Sequence, residues 1–396
     1  RLPLADVLKP ARRYAADGFP ASPLLLAAVA LVSNLPDAAD YATGPVVRRP
    51  GVARALEAIA KGGRAAFYEG EFGEGLLQLG QGEYNDADLA RPLADWVEPL
   101  SAPAWDRVLW TIPPNSQGYL TLAGAWIASG LDLPRNPDDP AWAHLTIEAA
   151  RQAGYDRVDV LHEHADGAAL LDPARLAPRR DAIRPDQAAV LGAEGYAGGG
   201  TIYLCAVDGD GMGVSLIQSN ASGWGSHLVE PNTRIFLQNR GIGFSLVPGH
   251  PAEYGPGRRP PHTLSPAVVT RPDRSLDMVI GSMGGDGQPQ VLLQLLARLL
   301  HAGQSPGRAV DAGRWLLTGG SSPFETWRDR GRVAVAVEGH APAAWDDGLR
   351  VRGHTVERLA AYAHDFGHAH VIRLEDTGLL AGASDPRALT GAAAAF

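Results

Sequence analysis

Apolar residues recur at helical spacing through much of the first half of the chain, then at a period of two beyond residue 200. Residues 50–60 carry the helical pattern, and Gly62-Gly63 is expected to stop it. The same spacing predicts helices over 117–130 and 141–153, separated by proline-rich turns. Residues 191–200 read LGAEGYAGGG, a glycine-rich loop or linker. Beyond it, residues 201–208 and 213–219 are β-type runs joined across Gly209-Asp210-Gly211, which predicts a hairpin. Further strands are expected over 234–238, 276–282 and 332–338, with a strong helix over 291–302. Strands interleaved with helices on this scale mean an α/β or α+β protein.

Composition narrows the functional classes. The chain has 396 residues, room for two or three domains or one large mixed architecture. At 45% hydrophobic and 20% charged it is built to fold rather than to remain disordered. Its formal charge of −9 argues against a nucleic-acid partner held by a basic surface. The one cysteine, Cys205, excludes an intrachain disulfide framework and cysteine-rich metal sites. The longest aliphatic run, residues 24–32, is too short to span a bilayer. Arg1 is not an initiator methionine, so the compartment stays open: the cytoplasm is favoured, with secreted or periplasmic locations as alternatives.

Several common signatures are absent. No G-x-S-x-G elbow and no G-x-x-x-x-G-K-[ST] loop occurs. Asp208-Gly-Asp210-Gly resembles the start of a calcium loop, but Ser219 stands where the bidentate glutamate belongs, which favours a hairpin turn. His162, His164, His364, His368 and His370 lack matching distant ligands and read as surface or turn residues. No metal or other cofactor is expected.

One local arrangement has chemical consequences. A glycine-rich stretch immediately precedes Thr201, which is expected to open a strand. Were the Gly200–Thr201 bond cut, Thr201 would own an α-amine beside its hydroxyl. Such an amine, with a pKa near 8, can accept the hydroxyl proton without a His–Asp relay. The same hydroxyl can first attack the Gly200 carbonyl, and water then releases the new terminus. A second loop, Gly284-Gly285 followed by Pro289, lies between a strand and a helix, where backbone N–H groups can form an oxyanion hole.

Read together, these residues resemble the γ-glutamyltransferase family of N-terminal nucleophile hydrolases, in its acylase and amidohydrolase branch. The resemblance runs through Gly18-Phe-Pro20, Phe67-Tyr-Glu-Gly70, Trp96 to Pro99, Pro113-Pro114, Gly200-Thr201 and Ser219 to Gly225. It continues through Asn239-Arg-Gly241, Phe244-Ser245, Arg259-Pro, Ser265-Pro266, Gly284-Gly285, Pro289-Gln290 and Gly382-Ala-Ser-Asp-Pro-Arg387. It implies an α+β fold, the four-layer αββα sandwich, with an N-terminal part of the family fold lying before Arg1. It also implies a large-subunit-like segment, 1–200, mostly helical and ending in the processing loop, and a small-subunit-like catalytic segment, 201–396, interwoven in one domain. Thr201 would be the nucleophile for processing and catalysis, Ser219 its supporting hydroxyl, and Gly284 and Gly285 the oxyanion donors. The expected partners are a small amide or γ-glutamyl-like substrate, water or an amine acceptor, and the other processed fragment.

Departures from the family pattern point to substrate class. The family's Thr-Thr-His continuation is Thr201-Ile-Tyr203 here, and an asparagine near the substrate ammonium is Ala221. The family's Gln-x-x-Asp is Arg240-Ile-Gly-Gly243, and its paired serines align with His262 and Thr263. Losing an Asp and gaining Arg240 disfavours an ammonium and favours an anion. The sequence therefore predicts an amidohydrolase or acyltransferase acting on a small, carboxylate-bearing amide. The alternatives are a genuine γ-glutamyltransferase, a homologue cleaving a carbon–carbon bond, and an inactive binding homologue.

Overall fold

The computed structural model describes residues 2–41, 44–191, 194, 196, 201–319 and 333–396. Gly200, half of the expected processing site, lies outside the described residues, as do most of the glycine-rich loop and Arg332. The chain forms two compact units, residues 1–96 with 224–239, and residues 97–223 with 240–396.

The first unit is mostly helical. Helix α1 (Leu4–Asp17) packs on α2 (Pro50–Tyr68), and α3 (Glu71–Gly80) follows. The Gly62-Gly63 stop proves to be a break rather than an end: Gly63 has φ 61°, and the helix resumes to Tyr68. The strand expected over 234–238 is absent. Its place is a turn in which the Glu230 carboxylate accepts from the N–H groups of Asn232 and Thr233, and Arg234 takes φ 60°. A single bridge, Val229 to Phe236, remains of the pairing.

The second unit is built on a six-stranded antiparallel sheet. Its strands are β1 (Leu100–Ala104), β2 (Arg107–Thr111), β5 (Ala267–Thr270), β6 (Leu276–Ser282), β10 (Ala369–Leu374) and β11 (Leu380–Ser384), in the order β11-β10-β6-β5-β2-β1. The hairpin β3 (Ile202–Val207) and β4 (Gly213–Gln218) lies on one face. Asp208 closes its turn by accepting from the N–H groups of Asp210 and Met212, as the turn reading expects. Helices α4 (Tyr119–Ser129), α5 (Pro140–Gly154) and α6 (Gln288–Leu296) share a continuous apolar core with the sheet. Helix, sheet and hairpin are therefore successive layers. A smaller sheet is formed by β7 (Trp315–Thr318), β8 (Ala334–Val337) and β9 (Val356–Arg358).

The hairpin β1–β2 escapes the sequence reading for a physical reason. Its turn uses Trp105 and Asp106 at φ 47° and 58°, without the glycine or asparagine that usually marks such a turn. Pro103 further disguises β1, and as the last strand of its sheet β1 tolerates a missing N–H.

Candidate active site

Thr201 precedes β3, and the strand register sets it opposite Ser219, one step beyond the Ile202–Gln218 pair. Its Oγ1 donates to Ser219 Oγ at 3.0 Å. Ser219 Oγ also accepts from the Ala221 N–H at 3.0 Å, which fixes the serine rotamer. Ala221 is buried at φ 77°, a region that asparagine and glycine enter more readily than alanine.

The seating of the hairpin on the sheet decides what lies near Thr201. A Cβ on Gly213 would meet Val279 and Leu276, whereas one on Gly281 would fall 2.1 Å from the Tyr203 ring. The hairpin turn thus lies over the start of β6, and the Thr201–Ser219 pair lies toward its end. There Gly284 and Gly285, buried at φ 139° and 56°, lead through a short 3-10 turn into α6. Both dihedrals favour glycine. Pro289 occupies the first turn of that helix, whose free N–H end supplies positive potential.

A second wall joins this turn. Arg240 opens a 3-10 turn ending at Gly243, where a Cβ would sit 2.2 Å from the Pro261 carbonyl oxygen. Glycine therefore lets the turn abut the stretch carrying His262 and Thr263. Arg240 Nη1 donates to Thr263 Oγ1 at 3.3 Å. The buried Gln117 amide bridges both walls, donating to the carbonyl oxygens of Gly285 at 3.0 Å and Thr263 at 3.4 Å. Gln117 Oε1 accepts from Arg157, whose guanidinium grips Asp286 through two bonds of 2.6 and 3.0 Å. Gln117, Arg157 and Asp286 are missing from the sequence reading. They lie 40 to 169 positions apart in the chain and meet only in the tertiary fold.

Burial shifts the titratable groups of this region. Burial pushes the Arg240 guanidinium down to about 10, with Asp286 opposing the shift. Burial and then Arg240 bring His262 down to about 4, so this imidazole is neutral at pH 7. His262 Nδ1 accepts from the Leu264 N–H at 3.2 Å, which leaves the ring proton on Nε2 as a donor. Among the described residues, Arg157 pairs with Asp286, and the same carboxylate acts on Arg240.

Tyr203 does not join this group. Strand alternation sends it to the sheet side, where it is buried over Gly281, hydrogen-bonds Ser215 at 2.9 Å and stacks on His370. It packs the hairpin to the sheet. Cys205, two residues on, is half-buried, and burial pushes its thiol up to about 11.

A strand-leading threonine on a hairpin laid over a sheet, with a glycine turn leading from that sheet into a helix, is the arrangement expected of an N-terminal nucleophile hydrolase. The family described as gamma-glutamyltranspeptidase matches residues 1–395, and the chain belongs to it. An oxamate amidohydrolase proenzyme of Klebsiella pneumoniae is 35% identical over 415 residues, covering 100% of this chain and 76% of that protein. A glutathione hydrolase-like YwrD proenzyme of Bacillus subtilis is 32% identical, covering 98% of this chain and 76% of its own. Among solved structures, a cephalosporin acylase from Bacillus halodurans superposes with a TM-score of 0.85 at 32% identity, over 98% of this chain and 73% of that one. The protein is thus an enzyme of a family whose relatives are named as proenzymes, amidohydrolases and acylases.

Proposed function

We propose that this enzyme is a self-cleaving amidohydrolase whose nucleophile is Thr201 and whose substrate is a small amide bearing a carboxylate. The observation that carries the reading is the 3.0 Å bond from Thr201 Oγ1 to Ser219 Oγ, beside the Gly284-Gly285 turn. Cleavage before Thr201 would give segments of 200 and 196 residues. In turnover, Thr201 Oγ attacks the amide carbonyl while its α-amine takes the hydroxyl proton. The N–H groups of Gly284 and Gly285 hold the oxyanion. Collapse of the tetrahedral centre breaks the C–N bond, and the ammonium returns the proton to the leaving amine. Water, activated by the same amine, then hydrolyses the threonine ester and frees the acid.

The Arg240 guanidinium and the Nε2–H of His262 support an anionic acyl group. Ala221 and Gly243 offer nothing to an α-ammonium, and Thr263 accepts from Arg240 rather than facing a substrate amine. The relative named as an oxamate amidohydrolase is consistent with a carboxylate close to the scissile carbonyl.

Denaturing electrophoresis tests the nucleophile. Wild-type protein should give two bands of similar size and Thr201→Ala one; a wild type that stays whole sinks the reading. Substrate class is read by comparing glutaryl and γ-glutamyl anilides with oxamate. Fastest turnover of the γ-glutamyl compound would refute the anion argument.

A further inference from the structure

Helix α5 carries His144, Glu148 and Arg151 on one face, at helical spacings of four and three. All three are buried, and each reaches the irregular stretch that leads to Thr201. His144 Nε2 contacts the Arg184 carbonyl oxygen at 2.7 Å. The Ala189 N–H donates to Glu148 Oε2 at 2.9 Å. Arg151 Nη2 donates to Glu194 Oε1 at 2.7 Å, while its Nη1 donates to Glu148 at 2.7 Å. The Tyr196 hydroxyl donates to the second Glu194 oxygen at 3.1 Å. From the other side, Arg352 donates to the Pro185 carbonyl and accepts from the Ala188 N–H.

His144, Glu148 and His354 have donor atoms within 4.8 Å of one another, but their hydrogen bonds make them a polar network rather than a vacant ligand set. His144 Nδ1 and His354 Nε2 are 2.8 Å apart, sharing a hydrogen bond, and Arg151 occupies the Glu148 oxygen nearest His354.

We propose that the Arg151–Glu194 pair, braced by Glu148 and Tyr196, is the anchor that positions the leading segment for self-cleavage before Thr201. The inference rests on Thr201 being the self-cleaving nucleophile. Four residues lie between Tyr196 and Thr201, so the two are at most about 17 Å apart when the chain is extended. Thr201 is fixed at the other end by the β3–β4 register and by Ser219. Described residues on both sides of the cleavage point are therefore held by the fold. Attack within one chain depends steeply on such positioning, since a misplacement of about 1 Å can cost two orders of magnitude. Burying three charges is also a poor route to stability alone, because desolvation offsets much of their attraction. Orientation is the better use of the pair. Arg151 and Glu194 are positioning residues and touch no substrate.

The test follows conversion of the whole, uncleaved chain into its two fragments on denaturing gels. Arg151→Met and Glu194→Gln should slow conversion at least tenfold, and Arg151→Lys should restore part of the rate. Tyr196→Phe, which removes one hydroxyl, should slow it severalfold and serves if the charge variants fail to fold. Circular dichroism melting identifies such failure. Whatever fraction of Glu194→Gln is cleaved should turn over amide with wild-type kcat and KM, which a merely misfolded variant would not do. Wild-type conversion rates in folded Glu194→Gln, or in both Arg151→Lys and Tyr196→Phe, would overturn the anchor. A wild-type chain that stays whole, like Thr201→Ala, would overturn the nucleophile reading, and the anchor with it.

Discussion

At the scale of single residues, the site is set by small chemical differences from the family pattern. Arg240 replaces neutrality with a desolvated cation, and a pKa lowered to about 10 leaves it charged at pH 7–8. Arg240→Gln should weaken an anionic substrate by about 1.5–3 kcal/mol, the worth of a charge-assisted hydrogen bond. The measurement is KM for the carboxylate-bearing amide against its methyl ester. An unchanged KM would return Arg240 to a structural role, holding Thr263. Cys205 makes a control at the same scale. Its raised pKa keeps the thiol protonated at pH 7–8, so iodoacetamide should label native protein slowly and denatured protein quickly. Rapid native labelling would show that the hairpin opens. The roles proposed for Thr201, Gly284 and Gly285 come from the glycine-rich stretches in the sequence together with the family resemblance. Those of Gln117, Arg157 and Asp286 do not, since a glutamine or an ion pair carries no sequence signature until its partner arrives.

Elements behave differently, because each fails or holds as a packed unit. The hairpin β3–β4 is seated by Tyr203 lying over Gly281, where a side chain would collide with a buried ring. Gly281→Ala should therefore cost about 1–3 kcal/mol, the usual penalty of overpacking a fixed core. It should also lower kcat by shifting Thr201 relative to the glycine turn. Urea denaturation and steady-state kinetics read the two effects, and loss of neither would mean that Tyr203 yields freely. Strands 276–282 and 201–208 and the helices near 117–130 and 141–153 were readable from periodicity. The hairpin at 100–111 was hidden by its unmarked turn, and the expected strand near 234–238 gave way to a turn organised by Glu230. At the first, long-range sheet pairing outweighed a weak turn signal; at the second, a carboxylate two and three residues upstream closed a turn that periodicity does not reveal.

For the molecule as a whole, two properties emerge that no single element holds. The six-stranded sheet joins strands from before and after residue 201, β2 pairing with β5 from Val108–Thr270 to Thr111–Ala267. The two cleavage products should therefore co-elute in native size exclusion and separate only in denaturant. Separation under native conditions would contradict a shared sheet. Acid sensitivity is the second. His144, His262, His354, His368 and His370 all have pKa values lowered chiefly by burial, His354 to about 3 and His368 to about 4. Between pH 6.5 and 4 the unfolded chain binds protons that the folded chain refuses, so stability falls as the pH is lowered. The midpoint of thermal unfolding should drop across that window, and His354→Gln should flatten the fall. A parallel drop in the variant would assign the effect to carboxylates.

The sequence by itself determined the class: the helical-to-strand switch, the glycine loop before Thr201 and the ordered motifs sufficed, because they depend on neighbours in the chain. Only the tertiary structure decided how Arg240 meets Thr263, which glutamine ties the two walls together, and how α5 holds the segment leading to Thr201. Those contacts join residues 23 to 168 positions apart. Burial gives them their strength, and burial is a property of the packed chain.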